Sequence, residues 1–329
     1  MKRQILEILR CPLCAEKLTL HAPEENQTEV RNGHLVCVGE LQHFFKVQDG
    51  IIRFATGFDH EAVQKEIAYE NSTYHGSDRL RDPKLIAHFP DTLAELWPHT
   101  LHFGPDFELL IQQIAVRPGD WVLDIGTGPC WSSRLLAQRG ARVIALDVND
   151  ADFYGLKTSD IHFAAHKVYF ERILESMTCL PFADASLDKI TFNASFHHTP
   201  DHEQTLRECF RVLKPGGIAA MVNEEFGSLR HKLFSQGEVT DGGSHHQIAY
   251  GDFERAVEEA GFHSRFFVAG HVRDKLRQKF SGQVGDWLAN GIERTPVILK
   301  QLNSALIVLS KPPRQRASSE KMEEAAAYG

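Results

Sequence analysis

Trp121-Val-Leu-Asp-Ile-Gly-Thr-Gly-Pro-Cys130, with Ala141-Arg-Val-Ile-Ala-Leu-Asp147 behind it, decides the fold of this chain. Trp121 to Ile125 is an apolar run of strand length, Gly126 and Gly128 make a turn, and Pro129 suits the first turn of a helix. That helix runs through Leu135 and Leu136 and stops at Gly140, and a second apolar strand, Arg142 to Leu146, ends on Asp147. The unit reads strand, glycine turn, helix, strand, acid, which is half of a Rossmann-like α/β sheet.

Glycines in such a turn let a ligand approach backbone N–H groups at the start of a helix, where the dipole favours an anion. The acid at the tip of the second strand is placed to accept hydrogen bonds from two ribose hydroxyls. Together they suit a nucleoside that carries a carboxylate. A dinucleotide fingerprint wants a third glycine at position 131, but Trp131 stands there, which argues against NAD or FAD. An ordinary α/β turn without a ligand is the plainer alternative.

The stretch resembles motif I of the class I S-adenosylmethionine-dependent methyltransferases, through Asp124, Gly126 and Gly128. The resemblance continues over residues 117 to 223. Met177-Thr-Cys-Leu-Pro-Phe-Ala-Asp-Ala-Ser-Leu-Asp188 is similar to the family's post-strand signature, with Ser176 where the family has an acid and Glu175 displaced by one. A strand from Lys189 to Ser195 ends in Phe196-His-His-Thr-Pro-Asp201, and a helix from Leu206 closes on Pro215-Gly-Gly217 before a strand from Ile218 to Asn223. The resemblance implies a seven-stranded Rossmann-like sheet with an antiparallel final hairpin. It also implies S-adenosyl-L-methionine as cofactor, held by Asp124, Gly126, Thr127, Gly128, Asp147, Val148, Ser176, Met177 and Asn193. Further strands are expected at Phe262 to Ala269 and Ser304 to Ser310, with an amphipathic helix over Gly251 to Ala260.

Methyl transfer from a sulfonium needs alignment and exclusion of water, and a general base only for some acceptors. His197 and His198 are the first candidates for that base, because an imidazole titrates near neutrality and both sit at a strand end. One of them packing under the turn is the alternative. His245 and His246, in the glycine-rich stretch through Gln247, are the reserve.

Ahead of the glycine turn lie two further segments. Cys11-Pro-Leu-Cys14 is a Cys-x-x-Cys knuckle, followed by Cys37 and by His43 six residues later. Thiolates and imidazole are what tetrahedral zinc prefers. The head resembles a Trm112p-like zinc ribbon and the head of rRNA guanine methyltransferases, which implies structural Zn²⁺ on Cys11, Cys14, Cys37 and His43. Glu40 stands where a Trm112p-like pattern has its fourth Cys, and His34 and Glu40 are substitutes for His43. A metal-free ribbon packed on the catalytic domain is the alternative. Residues 55–116 read as a helical linker and cap, with helical spacing at Glu61 to Tyr69 and Phe107 to Val116. Tyr69, Tyr74 and His75 are candidates to line a site there, with His99 and His102 behind them.

The expected organisation is therefore a ribbon over 1–54, a cap over 55–116, a cofactor-binding domain over 117–312 and a mobile tail over 313–329. With 329 residues, 42% hydrophobic and 24% charged, the chain is long enough for one large and one small domain. No apolar run is long enough for a membrane span, and the start is too short and charged for a signal peptide, so a cytoplasmic setting is expected. Three of six cysteines before residue 40 suit a metal site in a reducing compartment. A net charge of −8 works against a general nucleic-acid binder. The basic run Val272 to Lys279 reads as either a solvated helix face or a local basic patch. Three functions stay open: a methyltransferase acting on a small-molecule, saccharide or lipid-linked acceptor; an RNA methyltransferase, suggested by the ribbon; and a non-catalytic scaffold whose ribbon docks a partner.

Overall fold

The computed structural model describes residues 1–23, 29–56, 58, 61–75, 78–227, 248–295 and 305–314, with the backbone alone at 62, 73–75, 78 and 99. His245, His246 and the tail beyond 314 lie outside the described residues.

The glycine-turn unit forms as its sequence predicts. Strand β5 (Trp121–Ile125) is buried along its whole length, as a central parallel strand covered on both faces must be. After the turn come helix α4 (Trp131–Gln138) and strand β6 (Arg142–Asp147). Strands β7 (Glu171–Leu174), β8 (Leu187–Asn193) and β9 (Leu213–Val222) extend the parallel sheet. Strand β12 (His263–Val268) and strand β13 (Ala305–Ser310) close it as an antiparallel hairpin laid against β9. The order β7-β6-β5-β8-β9-β13-β12 contains the seven expected strands.

The sheet does not stop at seven. The head folds as β1 (Leu18–His21), β2 (Gly33–Cys37), β3 (Phe44–Gln48) and β4 (Ile51–Arg53), each antiparallel to the next. Strand β4 then pairs in parallel with β7, placing Ile51 opposite Arg172 and Arg53 opposite Leu174. One sheet of eleven strands among the described residues results, which corrects the expectation of seven. The physical reason is an edge: β7 offers an unpaired ladder, and pairing it lets Ile51 and Ile52 become fully buried. Each such side chain contributes roughly 1.5–3 kcal/mol of apolar burial.

Two further two-residue strands, β10 (Phe226–Gly227) and β11 (Ile248–Ala249), pair by themselves. Ahead of β5 lie helices α1 (Glu61–His75), α2 (Pro83–Ala87) and α3 (Phe103–Gln113). Between β6 and β7 lies helix α5 (Ser159–His166). Helix α6 (His202–Val212) is capped by Asp201, whose side chain accepts from the Gln204 N–H at 2.9 Å. Helix α7 (Tyr250–Glu259) covers the sheet, and α8 (Gly270–Phe280) and α9 (Gly282–Glu293) form a helical hairpin between β12 and β13. The basic run lies on α8, which buries none of its residues; Arg273 pairs with Glu293 at 2.7 Å and Arg277 with Asp286 at 2.8 Å. Two of its cations are thus already neutralised within the hairpin. No helix among the described residues is long and apolar enough to cross a membrane.

Candidate functional site

At the carboxyl ends of the parallel strands a cavity of about 730 Å³ opens, within the range of small-molecule sites. Its floor is the glycine turn. Gly126 has φ +66°, and a Cβ there would stand 2.4 Å from the Cβ of buried Ser195. Gly128 has φ +49° but faces only the Tyr154 ring, at 3.5 Å. The two glycines are therefore not equivalent. Gly126→Ala combines backbone strain with a clash that cannot swing away, and is expected to cost about 3 kcal/mol in chemical denaturation. Gly128→Ala is expected to cost about 1 kcal/mol. Equal losses for the two would contradict this account of the turn.

Asp124 holds the turn from beneath. Its Oδ2 accepts from the Ser132 and Ser133 hydroxyls, each at 2.6 Å, and its Oδ1 from Thr191 at 2.9 Å. It pins the first turn of α4 to β5 and β8 and does not reach the cavity wall. Helix α4 starts at Trp131 and not at Pro129, and no side chain caps its N-terminus. Its first N–H groups are thus without a side-chain partner, as a carboxylate-bearing ligand requires.

At the tip of β6, Asp147 accepts from the Gly128 N–H at 2.7 Å and from the Asn149 N–H at 2.9 Å. Burial pushes its carboxyl up to about 6. Glu70 of α1 hydrogen-bonds Asn149 at 2.8 Å, and burial together with the charge on Asp147 raises its carboxyl well above the usual carboxylate range. Glu66, one turn earlier on α1, lies 3.1 Å from His198 Nδ1.

Beside it stands a second carboxylate and imidazole pair, the His197 ring 4.2 Å from that of His198. Glu224, just beyond β9, accepts from the Ser195 and His197 N–H groups at 3.0 and 3.1 Å and lies 2.8 Å from His197 Nδ1. Burial alone would raise its carboxyl, but the hydrogen bonds and charge of His197 and those backbone donors hold it below its ordinary value. The carboxylate thereby sets the orientation of the His197 ring through Nδ1.

Of the residues singled out from sequence, Gly126, Thr127, Gly128, Asp147, Val148, Met177, Asn193, His197 and His198 all line the cavity, as do Tyr69 and His102. Ser176 does not: its hydroxyl bonds Thr178 at 2.8 Å, and the wall position belongs to Glu175, one residue earlier. The side chains of Tyr74, His75 and His99 are outside the described residues. Sequence reasoning missed Glu66, Glu70, Glu224 and His271 on the wall. Glu66 and Glu70 had a usable signal, since a four-residue spacing puts them on the face of α1 that also carries Tyr69 near the site.

In the head, Cys11, Cys14, Cys37 and His43 place one donor atom each within 4.8 Å of the others. Cys14 Sγ lies 3.2 Å from Cys37 Sγ, and His43 Nδ1 lies 3.4 Å from Cys11 Sγ. The substitutes do not join them: His34 stacks between His21 and Phe44, and Glu40 stays exposed.

Residues 123–221, the stretch from β5 through most of β9, match the methyltransferase domain family. The demethylmenaquinone methyltransferase of Mycolicibacterium vanbaalenii is 29% identical over 161 residues, 47% of this chain and 66% of that protein. The ubiquinone biosynthesis O-methyltransferase of Hahella chejuensis is 30% identical over 138 residues, 40% of this chain and 57% of that protein. The chain thus spans less than two thirds of the length of either relative. Among solved structures, an S-adenosylmethionine-dependent methyltransferase from Aquifex aeolicus is similar with a TM-score of 0.44 at 17% identity, covering 70% of this chain and 97% of that one.

Proposed function

We propose that the chain transfers a methyl group from S-adenosylmethionine to a small-molecule acceptor of the phenol or quinol type. The single observation that carries the cofactor reading is the pairing of the Gly126 to Gly128 turn with Asp147, which share one cavity and one hydrogen bond. The cofactor carries a sulfonium and an ammonium, and the wall that would face it bears Glu66, Glu70, Asp147, Glu175, Glu224 and Glu225. An acidic wall favours a cation and disfavours a polyanion, so it supports a small-molecule acceptor over RNA. The acceptor class is supported by the quinone-related names of the two curated relatives and by Tyr69, Trp97, Phe103 and Tyr154 on the wall.

When bound, the cofactor supplies an electrophilic methyl group on a sulfonium that leaves as a neutral thioether. The chain's own part is placement and proton removal. The floor of the turn would hold the amino-acid end and Asp147 the ribose, with Glu66, Tyr69 and Glu70 of α1 on the wall to keep water from the reacting region. His197, oriented by Glu224, takes the proton of an acceptor hydroxyl. Incubating the protein with methyl-labelled cofactor and a panel of demethylated quinols, simple sugars and a ribosomal RNA fragment tests the reading. Label is expected in the quinols; label in RNA alone overturns the acceptor class.

For the head, the donor set fits zinc, and the Gly39 N–H donates to Cys37 Sγ at 3.3 Å, a hydrogen bond that would steady a metal-bound thiolate. Purified protein is expected to contain about one equivalent of zinc that Cys11→Ser removes, with a lower melting temperature. Protein free of zinc but equally stable would show the ribbon to stand without metal.

A further inference from the structure

On the wall of the same cavity lies a cluster built by two elements far apart in sequence. His102 immediately precedes α3, and Asp106 follows four residues later, so the helical repeat sets both on one face. Asp106 is fully buried. His271, at the start of α8, donates its backbone N–H to Asp106 Oδ1 at 2.8 Å, and its ring Nδ1 lies 2.6 Å from Oδ2. A Cβ on Gly270 would stand 2.9 Å from Oδ1, so a residue without a side chain lets α8 come this close. The His102 ring lies 4.2 Å from that of His271, tilted by 45°. One nitrogen from each imidazole and one carboxylate oxygen fall within 4.8 Å of one another, and both imidazoles are on the cavity wall.

We propose that His102, Asp106 and His271 bind one divalent transition-metal ion, Fe²⁺, Mn²⁺, Co²⁺ or Zn²⁺, at the edge of the cavity. Two imidazoles and one carboxylate fill half of an octahedral shell and leave the remaining positions open to oxygen ligands. The ion takes the place of the proton shared between Nδ1 and Oδ2. For ligands at about 2.1 Å and near right angles, those two atoms separate to about 3 Å, a movement of a few tenths of an ångström. On the methyltransferase reading above, the open positions would receive an acceptor with two neighbouring oxygens, and the ion would lower the pKa of the one to be methylated. The binding of the ion itself does not depend on that reading.

The test uses the full chain stripped with chelator and titrated with Co²⁺ alone. Cobalt held by the thiolates of the head gives intense near-ultraviolet charge transfer, whereas nitrogen and oxygen ligation gives only weak visible bands, so the two sites read separately. We expect one bound ion without the thiolate signature, and His102→Ala and His271→Ala each to weaken it by about 100-fold while leaving the thiolate signal unchanged. His102→Gln and thermal melts of each variant control for folding. Cobalt confined to the thiolate site, or a second ion unaffected by either histidine substitution, overturns the proposal. A missing thiolate signal beside an intact second ion counts against the ribbon zinc alone.

Discussion

Replacing His197 by Ala is expected to lower kcat for methyl transfer to a hydroxyl acceptor by about 10² to 10⁴ while leaving cofactor affinity within about twofold. The split follows from position. His197 stands on the cavity wall with Nδ1 held 2.8 Å from a buried, ionised Glu224, so losing it removes a proton acceptor and leaves the turn and Asp147 in place. Glu224→Gln keeps the size but removes the charge that stabilises an imidazolium, and is expected to cost about 10- to 100-fold. His198 is the internal control: it is more exposed and faces Glu66 of α1, so His198→Ala is expected to cost less. Unchanged turnover in His197→Ala would remove the base from this account.

The largest stability effect is expected at Arg172, which no reading of the glycine turn would pick out. It is fully buried on β7, opposite Ile51 of the head. Its guanidinium bonds Asp160 at 2.9 Å, Ser159 at 3.2 Å and Glu29. Arg31 of the head reaches the same Asp160 at 2.8 Å, so one carboxylate joins both parts of the sheet. Arg172→Ala removes the cation and leaves a cavity, and is expected to lower the unfolding free energy by about 3–5 kcal/mol in urea. Arg172→Met is expected to cost less. The side chains of Glu29 and Asp160 are 24% and 46% exposed, so water can solvate both carboxylates once the cation is gone, while methionine fills the space. Equal losses in both variants would show that the charge, and not the packing, carries the stability.

The central α/β unit was legible because its signals are local: apolar strands, a glycine turn and a terminal acid lie within 27 residues of one another. Both terminal strands followed for the same reason. The joining of the head to the sheet was not legible, since β4 and β7 lie some 120 residues apart and each reads alone as an ordinary short strand. The site divides in the same way. Gly126, Asp147 and the His197 and His198 turn were found by spacing. Glu224 was hidden in a polar stretch that reads as loop, although an acid two residues beyond a buried strand is a usable signal in an α/β sheet. His271 was hidden by distance, because its partner Asp106 is 165 residues away. Ser176 was singled out by its alignment with the family's acid, whereas Glu175, the first residue beyond β7, holds the wall.

Calorimetry with S-adenosylhomocysteine tests the central claim most directly. The wild-type chain is expected to bind it, and Asp147→Ala to bind about 100-fold more weakly, the loss of charged hydrogen bonds worth about 2–3 kcal/mol. Because the ribose hydroxyls donate to the ionised carboxylate, affinity should hold above the Asp147 pKa of about 6 and fall as the pH drops below it. No measurable binding by the wild type, or equal binding by Asp147→Ala at every pH, would contradict the account.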